Sequence, residues 1–320
     1  MPPCCEISFF TIGTVPMPKP DVLKRHRALG LSQPIISSRP CISSAWTVAK
    51  NGICRAVIEG LASDGRDYSR GYHPAHTLAD TILVRLGFVS DAERAVLAQV
   101  PMTPRTLAPG DELVRQGSSP DHLYFLSAGW AYRSITIRSG ERQIPTLLVP
   151  GSVCNLDNLL LDRADFGVCA VTNATVLMLP RKRALALATE NAGVGRAFTW
   201  LAIAENAILS QWTVGLGRRS ALGRLAHLLC EMSSRVAAGD PDKGTFELPL
   251  TQELIADAIG LTPVHVNRTM QHLRTEGLIA TSGRTITILD FDRLRAVAEF
   301  DDGYLRQIDE SAVSSLAGSA

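Results

Sequence analysis

The chain is short of several things, and each shortage removes a class of function. Net charge is nearly absent: 32 Lys and Arg stand against 31 Asp and Glu, a formal +1 over 320 residues. A gross electrostatic excess therefore announces no polyanionic partner, and any nucleic-acid site must be local. No apolar run approaches the ~18 residues of a membrane span, because Glu205 and Asn206 interrupt the most apolar helical stretch, 197–212. No membrane partner is expected. The 7 cysteines are an odd number with no CxxC pair, in a chain too long to need disulfide staples, so they read as free thiols. Histidines converge nowhere. His122 is the single histidine of 78–180, too few ligands for a cupin-like metalloenzyme, and in His73-Pro74-Ala75-His76 the proline disfavours the helix that would align two rings. No catalytic group, metal or cofactor is expected. Ahead of the apolar run 7–15 there is no basic residue, and no clear cleavage site follows, so no secretory signal is expected and the cytoplasm is the expected compartment.

What is present changes period along the chain. Residues 1–77 scatter Pro, Ser, Gly and Arg with no lasting apolar period and read as a poorly ordered extension. From Gly117 through Gly129 and Gly140 to Gly151, glycines recur every 11 to 12 residues, the spacing of a β-meander. Strand-like runs lie at 112–115, 122–127, 130–137, 144–149, 166–172 and 175–179, which predicts a small antiparallel barrel or roll. Over 190–212 the pattern becomes helical. Val194, Ala197, Leu201, Ala204 and Ile208 fall at steps of three and four, a stripe that packs either on a partner helix or on the chain's own barrel. Gly215-Leu216-Gly217 is expected to interrupt that helix as a hinge before a further helical run to Val236.

The most informative stretch is 250–289. Thr251 can cap a short helix over 252–259, Gly260 suits a left-handed end, and Thr262-Pro263 reads as N-cap and first position of a second helix. Two helices joined by a tight glycine turn make a helix-turn-helix. In the second helix, 263–275, Val266, Met270 and Leu273 form the face expected to be buried, while Val264, Asn267, Arg268 and Gln271 share another. That second face carries groups able to read base edges: Arg for guanine, Asn or Gln for adenine, Val for a thymine methyl. Thr262 and His265 stand at its start, His265 facing phosphate or base, and His272 is expected to lie to the side. Thr285 to Ile288 alternate strictly after a Ser282-Gly283-Arg284 turn, a hairpin that sets Arg284 beside the helix to meet a phosphate.

The run Leu250-Thr251-Gln252-Glu253-Leu254-Ile255-Ala256-Asp257-Ala258-Ile259-Gly260-Leu261-Thr262, followed by Val266-Asn267-Arg268, resembles the DNA-binding signature of the Crp/Fnr family of bacterial regulators. Upstream, 109–117 and 123–129 resemble the family's cyclic-nucleotide-binding roll, so the resemblance spans about 78–300. It implies an α+β chain: an antiparallel, cyclic-nucleotide-binding-like β-roll sensor (78–190), a dimerisation helix and hinge (191–217), a winged helix-turn-helix (218–300) and a tail (301–320). It also implies a cytoplasmic homodimer that regulates transcription by placing its recognition helices on an inverted repeat of double-stranded DNA, with RNA polymerase and an unidentified small-molecule effector as further partners. Thr262, Val264, His265, Asn267, Arg268, Gln271 and Arg284 are the expected DNA contacts, with Arg218 and Arg219 adding phosphate contacts. Arg268 matches the family's shared arginine, whereas Pro263 and Val264 stand where the best-known member has Arg and Glu, so that member's operator does not carry over.

The sensor end departs from nucleotide-binding members. Their loop carries a Glu for the ribose and an Arg-Ser pair for the cyclic phosphate. Here 151–157 offers no Glu, and the Arg-Ser position falls at Ala164-Asp165 or Phe166-Gly167, where an Asp would repel phosphate unless the loop shifted to bring in Arg163. Cyclic AMP or GMP is not expected to bind. Cys4, Cys5, Cys41 and Cys54 lack the spacing of the iron-sulfur members. Cys154 and Cys169 read as buried, inert thiols rather than redox sensors. The alternative reading is a signal-binding dimer with no DNA readout, which leaves the face around Arg268 without a task.

Overall fold

The structure, a computed structural model, describes residues 77–236 and 244–305. The extension, the His73 and His76 pair, the four N-terminal cysteines, the leader reading and most of the tail lie outside the described residues.

Two short helices lead in, α1 (Ile82–Arg85) and α2 (Asp91–Leu97). A capping box starts α2: Ser90 Oγ accepts from the Glu93 amide at 3.3 Å, and the Ser90 amide donates to Glu93 Oε2 at 2.9 Å. The other oxygen of the same carboxylate accepts from the Gly193 amide at 2.7 Å, tying α2 to the start of the long helix described below.

Seven strands follow: β1 (Thr103–Leu107), β2 (Glu112–Val114), β3 (His122–Ala128), β4 (Ala131–Thr136), β5 (Arg142–Leu148), β6 (Gly167–Ala170) and β7 (Ala174–Pro180). They pair antiparallel in two sheets, ordered β1-β7-β3 and β2-β6-β4-β5, the roll that the glycine spacing predicted. Gly129 turns the chain from one sheet to the other at φ 80, where a Cβ would lie 2.3 Å from the Asn173 carbonyl oxygen. Only glycine fits there. Leu126, Ala131, Leu148, Cys154, Val168 and Val176 meet between the sheets, all but out of reach of solvent.

Helix α3 (Arg181–Glu190) leads into α4 (Ala192–Arg218), one unbroken helix of 27 residues. The expected interruption at Gly215-Leu216-Gly217 does not occur. A helical glycine costs only about 1 kcal/mol, and the Arg219 amide still closes the last turn on the Gly215 carbonyl at 3.2 Å. The break falls at Arg219, which is extended at ψ 146, and Ser220, whose Oγ accepts from the Gly223 amide. The stripe of Val194, Ala197, Leu201, Ala204 and Ile208 faces the chain's own body: the first two are fully buried and the others partly so. A different row, Thr199, Ala202, Asn206, Leu209, Thr213 and Leu216, is exposed throughout at alternating steps of three and four.

The remaining elements are α5 (Ala221–Val236), β8 (Thr245–Glu247), α6 (Gln252–Ile259), α7 (Pro263–Thr275), β9 (Ile279–Ser282), β10 (Thr285–Ile288) and α8 (Phe291–Ala298), then a 3-10 turn, Asp302–Leu305. The expected hairpin is two strands of a three-stranded sheet ordered β8-β10-β9. One apolar cluster runs from the roll, through Trp130, Ile144 and Leu147, into Leu225, Leu229, Val266, Leu273 and Leu294 of the helical part. Polar links join the same two regions. Arg142 on β5 pairs with Asp257 on α6 at 2.6 Å, Gln143 donates to the Ala258 carbonyl at 3.1 Å, and Arg235 on α5 donates to the Leu147 carbonyl at 2.8 Å.

His227 on α5 lies against this junction, stacked on Tyr304 with ring centroids 5.8 Å apart and edge-on to Phe300 at 5.3 Å. Burial, with the Arg219 charge adding to it, pushes its pKa from 6.5 down to about 4. Between those values the unfolded chain binds a proton that the folded chain refuses. Stability is therefore complete above pH 6.5 and falls as pH drops toward 4, by on the order of 3 kcal/mol. Urea midpoints across this range should show the slope in the wild type and a shallower one in His227→Phe; equal slopes would remove His227 as the cause.

Candidate nucleic-acid interface

The reader is assembled by local chemistry. Thr251 Oγ1 accepts from the Leu254 amide at 3.2 Å to start α6, and Gly260 ends it at φ 64, ψ 47. The left-handed conformation of Gly260 is what calls for glycine; a Cβ there would come within 2.8 Å of Leu216 Cδ2, a side-chain end on α4 that can shift. Thr262 Oγ1 accepts from the His265 amide at 3.2 Å, and Pro263 occupies the first turn of α7, where no amide partner is lost.

Val266 and Leu273 are fully buried as expected, but Met270 is only half-buried. The third anchor is Thr269, 6 % exposed, whose hydroxyl donates to the His265 carbonyl at 2.8 Å and so enters the core with its polar atom satisfied. This residue was not legible as an anchor because threonine reads as a surface type. On the other side Thr262, Val264, His265, Arg268 and Gln271 are exposed, and Asn267 is half-buried. Thr262, Val264, His265 and Arg268 line an open concavity of about 430 Å³ together with Thr269, His272, Ala221 and Leu222. His272 lines it without Asn267 and Gln271, on the side of α7 turned toward Ala221 and Leu222, which is the place beside the face expected of it. Ala221 and Leu222 carry no chemistry that a sequence reading would select. Asn267 and Gln271 lie outside this lining.

The hairpin loop is Gly283-Arg284, with Gly283 at φ 59, and Arg284 is exposed at its tip. Arg274 Nη1 donates to Thr281 Oγ1 at 3.0 Å, an exposed link between α7 and the hairpin. Arg219 departs from expectation. Its guanidinium donates to the Gln211 carbonyl and Oε1, both at 2.9 Å, so it clips the end of α4 rather than meeting phosphate. Arg218 is exposed.

In the roll, Asn155 is fully buried; its Oδ1 accepts from the Tyr124 amide and its Nδ2 donates to the His122 carbonyl, both at 3.0 Å. The loop is stitched to β3. Arg163 and Asp165 are exposed. Burial pushes the Cys154 thiol up to about 12 and raises that of half-buried Cys169, so both stay protonated near neutrality, as inert thiols do. Among the described residues no His, Cys, Asp and Glu group could hold a metal, and no helix is long and apolar enough to cross a membrane.

Comparison with known proteins gives the same two halves. Residues 104–191 match the family described as the cyclic nucleotide-binding domain, and residues 223–297 the Crp-like helix-turn-helix domain. The chain is 30% identical over 219 residues to the transcriptional activator protein FnrL of Cereibacter sphaeroides, covering 67% of this chain and 87% of that protein. It is 29% identical over 206 residues to the nitrogen fixation regulation protein FixK of Rhizobium meliloti, covering 63% and 92%. The solved structure of FixK2 from Bradyrhizobium japonicum superposes with a TM-score of 0.57 at 25% identity, over 61% of this chain and 96% of that one. Roll, long helix and winged helix-turn-helix stand in the order these relatives share, and the chain belongs to the Crp/Fnr family of transcription regulators.

Proposed function

We propose that the protein is a homodimeric, cytoplasmic transcription regulator that reads an inverted repeat of double-stranded DNA through α7. The exposed face of α7 beside the wing carries this reading: Arg268 and Val264 offer base-edge groups, Gln271 and Asn267 extend the face, and Thr262, His265 and Arg284 flank it for phosphate. The roll within 78–190 is the sensor and 218–300 the reader. Dimerisation through α4 is supported by its exposed row at coiled-coil spacing, in which Leu209 and Leu216 are 44% and 38% exposed. Two recognition helices related by that two-fold would enter successive major grooves, half-sites one helical turn apart. The sensor reading disfavours cyclic AMP, because the loop at 151–157 offers no Glu for the ribose, Asn155 is committed to β3, and no Arg-Ser pair stands at 164–167 for the cyclic phosphate. RNA polymerase is the partner through which a DNA-bound regulator acts, and any effector is a small molecule other than a cyclic nucleotide.

In vitro selection from random duplexes at near-physiological salt should enrich an inverted repeat. Arg268→Ala should then weaken the selected site by about 1–3 kcal/mol and relax the choice at one base pair, with non-specific affinity much less changed. Equal losses on all sequences would reduce Arg268 to a phosphate contact.

A further inference from the structure

The guanidinium of Arg133, on β4, is buried where the roll meets the long helix. Its Nε donates to the Cys154 carbonyl at 2.8 Å and its Nη2 to the Val153 carbonyl at 2.7 Å, and the Phe166 ring lies under it with its centroid 4.7 Å from Cζ. Its outer edge meets Glu205 of α4 in a two-pronged pair, Nη1 to Oε2 at 2.8 Å and Nη2 to Oε1 at 3.0 Å. One side chain therefore grips the loop that follows β5, the strand β4 and the middle of α4 together. A second carboxylate is near enough for its charge to be felt: Asp157, of the roll itself, is raised by its burial and pulled back by Arg133, and its Oδ1 is buried with no hydrogen-bond partner. The guanidinium pairs with the carboxylate of the other element and leaves the local one with an unmet acceptor.

We propose that Arg133 and Glu205 are positioning residues that link the roll to the long helix from within, so that the chain's own ion pair, and not a bound anion, sets the roll against α4 in the DNA-reading state. A planar, bidentate pair suits this task because it resists rotation as well as separation. The pair sits next to Asn206 on the exposed row of α4, so a shift of Glu205 is a shift of the seam. DNA reading then needs no added ligand, and loss of either partner frees α4 to move.

The test uses the full chain and its selected duplex, with Glu205→Gln, Arg133→Lys, the double variant, and Asp162→Asn as a control that breaks an exposed ion pair elsewhere on the roll. Expected results are roughly tenfold weaker operator binding in each single variant, no further loss in the double variant, wild-type binding in the control, and no response of the wild type to millimolar 3′,5′-cyclic AMP. Glu205→Gln keeps an oxygen acceptor for Arg133, which also retains the Val153 and Cys154 carbonyls, and affinities are compared well below each variant's melting temperature, so a fall in affinity is not a fall in folding. Wild-type operator binding in both single variants, fully additive losses, or a cyclic nucleotide that tightens binding would overturn the link. Should the wild type select no duplex, the DNA reading of the preceding section fails by itself, and amide hydrogen exchange decides the link. Glu205→Gln must speed exchange in 131–136 and 199–212 together, and unchanged exchange in either segment overturns it.

Discussion

Glu231→Ala is expected to lower folding stability by about 3–5 kcal/mol, because it strips the largely buried Arg235 guanidinium of its counter-charge and leaves the buried Trp212 donor and the partly buried Tyr304 hydroxyl without their acceptor. Glu231 is fully buried on α5. Its Oε2 accepts from Trp212 Nε1 and from the Tyr304 hydroxyl, both at 2.8 Å, and its Oε1 pairs with Arg235 Nη1 at 3.1 Å. Arg235 carries the network on to the Leu147 carbonyl in the roll. Thus one carboxylate joins the long helix, the first helix of the reader, the segment after α8 and strand β5. Tyr304→Phe removes a single donor and should cost only about 1–2 kcal/mol, because Oε2 keeps Trp212. A combined replacement of Trp212, Glu231, Tyr304 and Arg235 by apolar residues of similar volume should cost less than Glu231→Ala alone, since no group is then stranded. Urea denaturation of the three proteins orders them; a loss under 1 kcal/mol for Glu231→Ala would show that water reaches the site. Operator affinity of Glu231→Ala should fall as well, because the carboxylate holds α5 at its angle to α4.

Leu229→Ala carries the second large effect, about 2–5 kcal/mol, from lost burial plus the cavity left behind. Leu229 is fully buried in the cluster that runs without interruption from Ile144 and Leu147 of the roll to Leu273 and Leu294 of the reader. Apolar continuity of this kind couples the two regions in unfolding. The melting temperature should drop by on the order of 5–15 °C, and far-UV dichroism and tryptophan fluorescence should report the same midpoint. Two separated transitions, with only one shifted by the substitution, would show that the roll and the reader melt independently.

Much of the reader was legible because its instructions are local. Thr251, Gly260, Thr262 and Pro263 each act on amides within a few residues, so caps and turn could be placed from the sequence and the exposed face of α7 followed from the helical period. The strands of the roll were legible for the same reason, through alternation between glycine turns. β1 was not, since four of its five residues are exposed and Pro104 interrupts it; its pairing to β7 gives it a strand's backbone without a strand's pattern. β8 is three residues long and gains its identity only from β10.

The face of the long helix shows where local reading stops. Sequence spacing marked Val194, Ala197, Leu201, Ala204 and Ile208 as one apolar stripe and left open what covers it, because period does not name a partner. The tertiary structure lays that stripe on the chain's own body and leaves the row through Ala202, Leu209 and Leu216 exposed. Charges behave in the same way. Glu231, Arg133, Arg142 and Asp257 are, in sequence, four ordinary charged residues among 63. Their meanings come from partners 72 and 115 positions distant, or from burial on a helix whose neighbours must first be in place. The sequence by itself determined the two modules, their order and the exposed face of α7, since caps, turns and periodicity act over a few residues. Only the tertiary structure decided the buried ionic links, the docking of reader on roll and the free face of α4, because a charge acquires its role through what packs around it.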